Sequence, residues 1–314
     1  MVQNLFKKPF QIFIFCVLAF ISFGAKAGEP PFGFIYTTDL NPKGTYEFEQ
    51  KVNYQRGQAH GIYNNFEIQS EFEYGVTNDF QAAFYLNYDY IAAKNNDARG
   101  KTTSNKIPAQ HNPNESYRAL LYRGISTEFI YRILSPYKDS FGLAFYVQPS
   151  YGSQEIGLEN KIIIHKNFLD DRLVLASNIN LEYEKERQGA VFGSQAGDTD
   201  FSSGWSKETH LDFLFGASYR FFSNWSFGWE HRLHNDFDGH KIARSKHTQI
   251  VNFTGPAIHY GGKNFFATLS VLKQVSAKAL TSDEKQNYVG DKIYGDHANY
   301  DGIRLIIGIP FQTN

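Results

Sequence analysis

Between Phe66 and Val76 the chain alternates. Phe66, Ile68, Ser70, Phe72, Tyr74 and Val76 fall on one parity, and Glu67, Gln69, Glu71, Glu73 and Gly75 on the other. A period of two puts successive side chains on opposite faces of an extended strand, whereas a helix would scatter the same apolar residues round its axis. After Thr77-Asn78-Asp79 the pattern restarts, with Phe80, Ala82, Phe84, Leu86, Tyr88 and Tyr90 on one face. Later runs group Phe141, Leu143, Phe145, Val147 and Tyr151, then Leu211, Phe213, Phe215, Ala217, Tyr219 and Phe221, and finally Ile303, Leu305, Ile307, Ile309 and Phe311. The alternation predicts twelve strands near 45–54, 62–76, 80–90, 117–133, 141–151, 156–166, 173–184, 208–221, 225–234, 248–260, 265–275 and 301–311. It is weakest in the fourth, tenth and eleventh.

The links between these strands carry the topology. Those at 77–79, 134–140, 167–172, 222–224 and 261–264 are short and rich in Asn, Asp, Gly, Ser or Pro, as turns require. They alternate with long hydrophilic links at 91–116, 185–207, 235–247 and 276–300, and with two brief ones at 55–61 and 152–155. That order fits an all-β, antiparallel up-and-down transmembrane β-barrel of about twelve strands with both chain ends on the short-turn side. In hydrocarbon every backbone N–H and C=O needs a partner, and a sheet meets that demand by closing on itself. A soluble sandwich or lipocalin-like barrel would instead turn its apolar face inward. Against it, the polar faces here carry few Lys residues and the apolar faces are unusually aromatic.

Composition then makes sense. Mean hydropathy is only −0.43 and hydrophobic residues make up 42%, yet the chain holds 29 Phe, 20 Tyr and 3 Trp. Half the strand residues would face water inside, and rings at strand ends would form interfacial girdles. The ring candidates are Tyr46, Tyr54, Tyr74, Phe80, Tyr88, Tyr90, Phe141, Tyr219, Phe221, Trp225 and Trp229. Such aromatic content excludes a disordered chain. A formal net charge of −1 excludes a polycationic nucleic-acid binder.

The N-terminus reads as a sorting segment. Lys7 and Lys8 precede an apolar run from Ile12 to Ile21, and Ala25-Lys26-Ala27 ends the stretch. This is the layout of a secretory signal peptide over 1–27, cleaved after Ala27, and the run is too short for a membrane-spanning helix. The remaining chain carries no Cys or Met, and 28 basic against 32 acidic residues give it a net charge of −4. Residues 28–44 are then expected as an N-terminal periplasmic segment and 45–314 as the barrel, located in a bacterial outer membrane. No phosphate-binding loop, dinucleotide fingerprint or calcium loop is present, so no cofactor is expected.

Three stretches carry a resemblance. They are Pro31-Phe32-Gly33-Phe34-Ile35-Tyr36-Thr37-Thr38-Asp39-Leu40-Asn41-Pro42-Lys43-Gly44, Glu71-Phe72-Glu73-Tyr74-Gly75-Val76-Thr77-Asn78-Asp79-Phe80 and Leu134-Ser135-Pro136-Tyr137-Lys138-Asp139. Together they resemble an uncharacterised family of Gram-negative outer-membrane barrels, a domain of unknown function. The resemblance implies the fold and brings no activity or catalytic residues. The closing strand is similar to the C-terminal recognition strand of bacterial barrels, which usually ends in Phe; here Gln312, Thr313 and Asn314 follow Phe311. It implies the barrel-assembly machinery as a partner.

Twelve strands enclose more than the eight that side chains can fill and less than a wide porin, so the lumen is expected to be a narrow pore or a plugged cylinder. Candidate lumen residues are Glu47, Glu49, Glu67, Glu71, Glu73, Glu128, Arg132, Lys161, Arg220, Glu230, Arg232 and Arg304. An acidic wall on strands 1 and 2 facing Arg220 and Arg232 would set a transverse field across a pore. The same groups could equally tie the interior together as cross-strand ion pairs. His231, His234, Asp236, Asp238, His240 and His247 crowd one strand end and its loop, with His234, Asp236, Asp238 and His240 as the candidate metal ligands. Ser226, His231 and Asn224 would be the constellation of a lipid hydrolase. Three functions follow: a channel for small hydrophilic solutes, a closed barrel whose loops bind ligands or surfaces, or a hydrolase. Membrane lipids and lipopolysaccharide are the expected surroundings.

Overall fold

The computed structural model describes residues 30–59, 61–95, 107, 111–112, 114–153, 155–187, 205–294 and 299–312. The expected signal peptide, 1–27, lies outside the described residues, as does much of the links at 91–116 and 185–207. The described chain forms β1 (Thr45–Arg56), β2 (Ile62–Thr77), β3 (Phe80–Lys94), β4 (Tyr117–Leu134), β5 (Gly142–Tyr151), β6 (Glu155–Phe168), β7 (Leu173–Arg187), β8 (Trp205–Phe222), β9 (Trp225–Asp238), β10 (His247–Gly261), β11 (Phe266–Ala279), β12 (Tyr288–Val289), β13 (Lys292–Ile293) and β14 (Tyr300–Gln312). All but β12 and β13 build a closed ring in which each strand pairs antiparallel with its neighbours, and β14 returns to pair with β1. The twelve expected wall strands are all present. β12 and β13 form a small separate hairpin within the last long link.

Which face is apolar decides the environment. Phe72 is 43% exposed while Glu71 beside it is fully buried, and Phe129 is 42% exposed beside a fully buried Glu128. Phe84, Phe145, Ile162, Ile164, Phe213, Phe215, Phe227, Leu269 and Leu305 are likewise exposed on the outer face. Inside lie Asp89, Lys161, His165, Asn178, Asp212, Glu230 and Gln274, all buried. The apolar rows therefore face outward and the charges inward, as a wall standing in hydrocarbon demands. Tyr46 stacks on Tyr74 at 4.6 Å and on Phe311 at 5.7 Å near the short-turn end, where Trp225 also meets Tyr260. Tyr54 stacks on Phe66 at 4.5 Å towards the opposite end. Trp229 lies further along the wall, its indole N–H donating to Thr254 Oγ1 at 2.8 Å.

The three weak alternations have separate causes. In β4, Gly124 sits at φ +133° where the register with β3 shifts, so Leu120 and Tyr122 point outward on even parity while Phe129 does so on odd. In β11 a register shift skips Val275 and reverses parity in the same way. A bulge of this kind places two residues opposite one and flips every side chain beyond it. β10 keeps one parity throughout, but buries Val251 and Phe253 on its inner face, so its two sides differ little in polarity. Gly124 is held there by sterics as well, since a Cβ would collide with the Tyr151 carbonyl oxygen. Gly124→Val is expected to destabilise the barrel by about 2 kcal/mol, read by urea unfolding in lipid.

Residues 30–44, read from the sequence as a periplasmic segment, fold into the lumen. Phe32, Phe34 and Ile35 join Ala176, Leu214, Val251, Phe253, Leu272 and Ile293 in one buried cluster. Leu40 joins Ile130, Ala144, Tyr146 and Ile163 in another. The inner wall is thus apolar where this segment docks on it, and burying each such side chain contributes about 1.5–3 kcal/mol. Gly216 on β8 leaves the necessary space, because a Cβ there would sit 2.7 Å from Ile35 and 2.8 Å from Phe32. From the long-loop end, the link after β11 also folds inward. The Ile293 backbone exchanges hydrogen bonds with the Gln274 amide at 2.8 and 2.9 Å.

Candidate functional site

The lumen is the site, and the N-terminal segment divides it. Glu230 on β9 is the main fastening: Oε1 accepts from Gly33 N–H at 2.9 Å and from the Ser270 hydroxyl at 2.6 Å, while Oε2 accepts from Phe34 N–H at 2.8 Å. Arg304 on β14 lies 4.0 Å over the Phe34 ring and donates to the Gly33 carbonyl at 3.2 Å. Asn178 on β7 reads the Tyr36 backbone with both ends of its amide, accepting at 2.7 Å and donating at 3.0 Å. Polar atoms that a strand would have satisfied are satisfied here by wall side chains.

At the short-turn end the segment is tied again. Arg132 donates to the Thr38 carbonyl at 3.1 Å and pairs with Asp79 at 3.0 Å. Tyr137 O–H donates to Asp39 at 2.9 Å, Asn41 donates to Glu73 at 2.7 Å, and Gly44 N–H donates to the Gly75 carbonyl at 2.8 Å. The three stretches that carry the family resemblance are therefore those that meet at this end of the lumen. Their residues hold one docking arrangement.

The remaining candidates form a charged belt. Lys51 pairs with Glu71 and, at 3.0 Å, with Glu49. Tyr85 donates to Glu128 at 2.5 Å, and Tyr36 donates to the same carboxylate at 3.3 Å. Lys161 pairs with Glu159 at 2.8 Å and sits 4.0 Å over the Tyr146 ring and 4.3 Å over that of Tyr36. Glu67 accepts from Asn53 at 2.8 Å, and Glu47 is buried near the short-turn end. Arg232 does not stand alone against the acidic wall, since it pairs with Asp212 at 2.9 Å and Asp301 at 2.7 Å. Arg220 lies at the short-turn end of β8, donating to the Asp170 carbonyl of the β6–β7 turn at 3.4 Å. Glu155, Asp89 and Glu186, none of them singled out from the sequence, surround Arg123 at 2.6, 3.3 and 3.5 Å. Arg123 is the residue that the register shift in β4 skips, which hid its inward parity.

Among the described residues, two cavities lie between the segment and the wall. The larger, about 320 Å³, opens at the long-loop end and is lined by side chains including Glu67, Asp89, Arg123, Glu159, Glu182 and Arg232. The smaller, about 70 Å³, lies towards the short-turn end among Glu47, Glu49, Lys51, Glu73 and Gln81. Phe34, Tyr36, Gln69 and Arg304 line both.

The model for a family of unknown function, DUF6662, matches residues 24–311. The chain belongs to this family. None of the curated proteins compared matches it. Among solved structures, the DUF6662 barrel is similar to the COG4313 outer membrane channel from Pseudomonas putida F1, at 8% identity and a TM-score of 0.54 over 87% of this chain and 98% of that one. It is also similar to the NanC porin, at 12% identity and a TM-score of 0.47 over 85% of this chain and 100% of that one. At such identity the likeness concerns the fold, that of an outer-membrane barrel.

Within this DUF6662 member, strand register decides which of the other chemical groups meet. The expected metal set is not gathered as a unit. Asp238 pairs with Lys246 at 2.6 Å and His240 Nε2 contacts the Glu184 carbonyl at 3.1 Å, whereas His234 and Asp236 meet His210 of β8. Ser226 lies on the inner face of β9, and His231, at odd parity, lies on the opposite one, so a strand cannot bring the two together.

Proposed function

We propose that the protein is an outer-membrane channel for passive passage of small hydrophilic solutes, narrowed by its own N-terminal segment. The observation that carries this reading is that two cavities, the larger of them mainly polar, approach each other from opposite ends of the barrel and share Phe34, Tyr36, Gln69 and Arg304. A solute would pass between the segment and the wall of β14 and β1–β7, where carboxylates and cations alternate and can replace part of its hydration. The short-turn end would face the periplasm, lipopolysaccharide would surround the other rim, and the barrel-assembly machinery would engage the C-terminal strand.

Purified protein in planar bilayers tests the reading. Small stepwise currents are expected, with amplitude altered by Arg304→Gln at the shared constriction. Silence at every potential, in a preparation shown to be folded, would leave the closed barrel with binding loops as the better description.

A further inference from the structure

We propose that His210, His234 and Asp236 bind a divalent transition-metal ion, with zinc as the best match to two imidazoles and a carboxylate. Such a site is independent of whether the lumen conducts. β8 and β9 place the three side chains in the lumen through the register His210↔Asp236 and Asp212↔His234. His210 Nδ1 lies 2.5 Å and His234 Nε2 lies 2.7 Å from the same oxygen, Oδ1 of Asp236. The two rings stack at 5.5 Å with 18° between their planes. All three ligand atoms fall within 4.8 Å of one another, a spacing that an ion with bonds of about 2.0–2.2 Å spans after small adjustments.

The outer contacts of the imidazoles point to the same ion independently. His234 Nδ1 lies 2.6 Å from Asp212 Oδ1, and His210 Nε2 lies 3.2 Å from Glu184 Oε2. Each ring therefore has a carboxylate at both nitrogens, and Arg232 Nη2 also lies 3.0 Å from His234 Nδ1. A doubly protonated ring donates to both carboxylates, whereas a neutral imidazole keeps one N–H and offers one lone pair. An ion between the two inner nitrogens and Asp236 would take the place of the two inner protons. The outer N–H groups then donate to Asp212 and Glu184, the carboxylate–histidine–metal arrangement that fixes tautomer and ring orientation. Gln249 donates to the second oxygen of Asp236 and holds that carboxylate in place. Charge points the same way, because Glu184, Asp212, Asp236 and Asp301 converge here and the Arg232 guanidinium pairs with two of them, Asp212 and Asp301. Water would supply a fourth ligand, and the ion would pin β8 to β9 at the mouth of the larger cavity.

The test uses the refolded full barrel in detergent, stripped with chelator and titrated calorimetrically with zinc chloride. One equivalent is expected to bind, and cobalt(II) in its place is expected to give the visible absorption bands of a four-coordinate site. His210→Ala and His234→Ala should each abolish measurable binding. Asp212→Asn, which alters the partner of His234 Nδ1 and of Arg232 but no ligand atom, should weaken it about 10–100-fold. Asp238→Ala and His240→Ala should leave it unchanged. Heat-modifiable gel migration checks that each variant is folded, and the wild-type cobalt spectrum stands without any variant. No zinc uptake and no such spectrum in the wild type, or uptake that survives His210→Ala and His234→Ala, overturns the proposal.

Discussion

Glu230→Ala is expected to free the N-terminal segment, raising single-channel current several-fold and destabilising the folded protein by about 3 kcal/mol. The carboxylate is fully buried and accepts two backbone N–H groups and one hydroxyl, all within 2.9 Å. Hydrogen bonds to a charged acceptor contribute about 1.5–3 kcal/mol each, and removing the acceptor strands the N–H groups of Gly33 and Phe34 without a partner. Water is then the nearest replacement, and it enters as the segment leaves. Bilayer recordings read the current, and limited proteolysis of the segment reads its release without reference to conduction. An unchanged current with an unchanged digestion pattern would show that the apolar cluster around Phe32 holds the segment without the carboxylate.

Phe213→Arg is expected to cost about 2–4 kcal/mol of folding free energy in lipid vesicles, because it sets a charge against hydrocarbon near mid-wall. Phe213 is 44% exposed on the outer face of β8, between Leu211 and Phe215. The contrasting substitution is Gln148→Arg, which introduces the same group on the inner face, among the residues lining the larger cavity. It should cost little, since that side of the wall is wet. Urea titrations followed by tryptophan fluorescence compare the two, and equal costs would contradict the assignment of faces.

The wall was legible because lipid enforces it. A residue at the wrong parity meets hydrocarbon, so Phe72 and Glu71 could be placed correctly from alternation alone. That constraint lapses beyond the apolar band. β7 runs on through Glu184, Lys185 and Glu186, and β8 begins as early as Trp205, because water bathes both faces there and nothing imposes a period of two. The N-terminal segment had no period to read. Its trace in the sequence was indirect, in inner-face positions such as Leu214, Phe253 and Leu272 that are apolar where a wet lumen calls for polar groups. His210 was missed for a different reason. The loop crowded with His and Asp drew attention along the chain, whereas the partner of Asp236 comes from across the β8–β9 ladder. The partners of Arg232 and Glu230, Asp301 and the backbone of residues 33–34, are distant in sequence, so alternation cannot reveal them.

The docking strip on β8, β10 and β11 also bears on what a shortened chain would be. Leu214, Val251 and Leu272 would be laid bare to water if residues 30–41 were cut away. The resulting tube would carry an oily seam down one side of its bore, able to adsorb small greasy molecules that the intact protein keeps out.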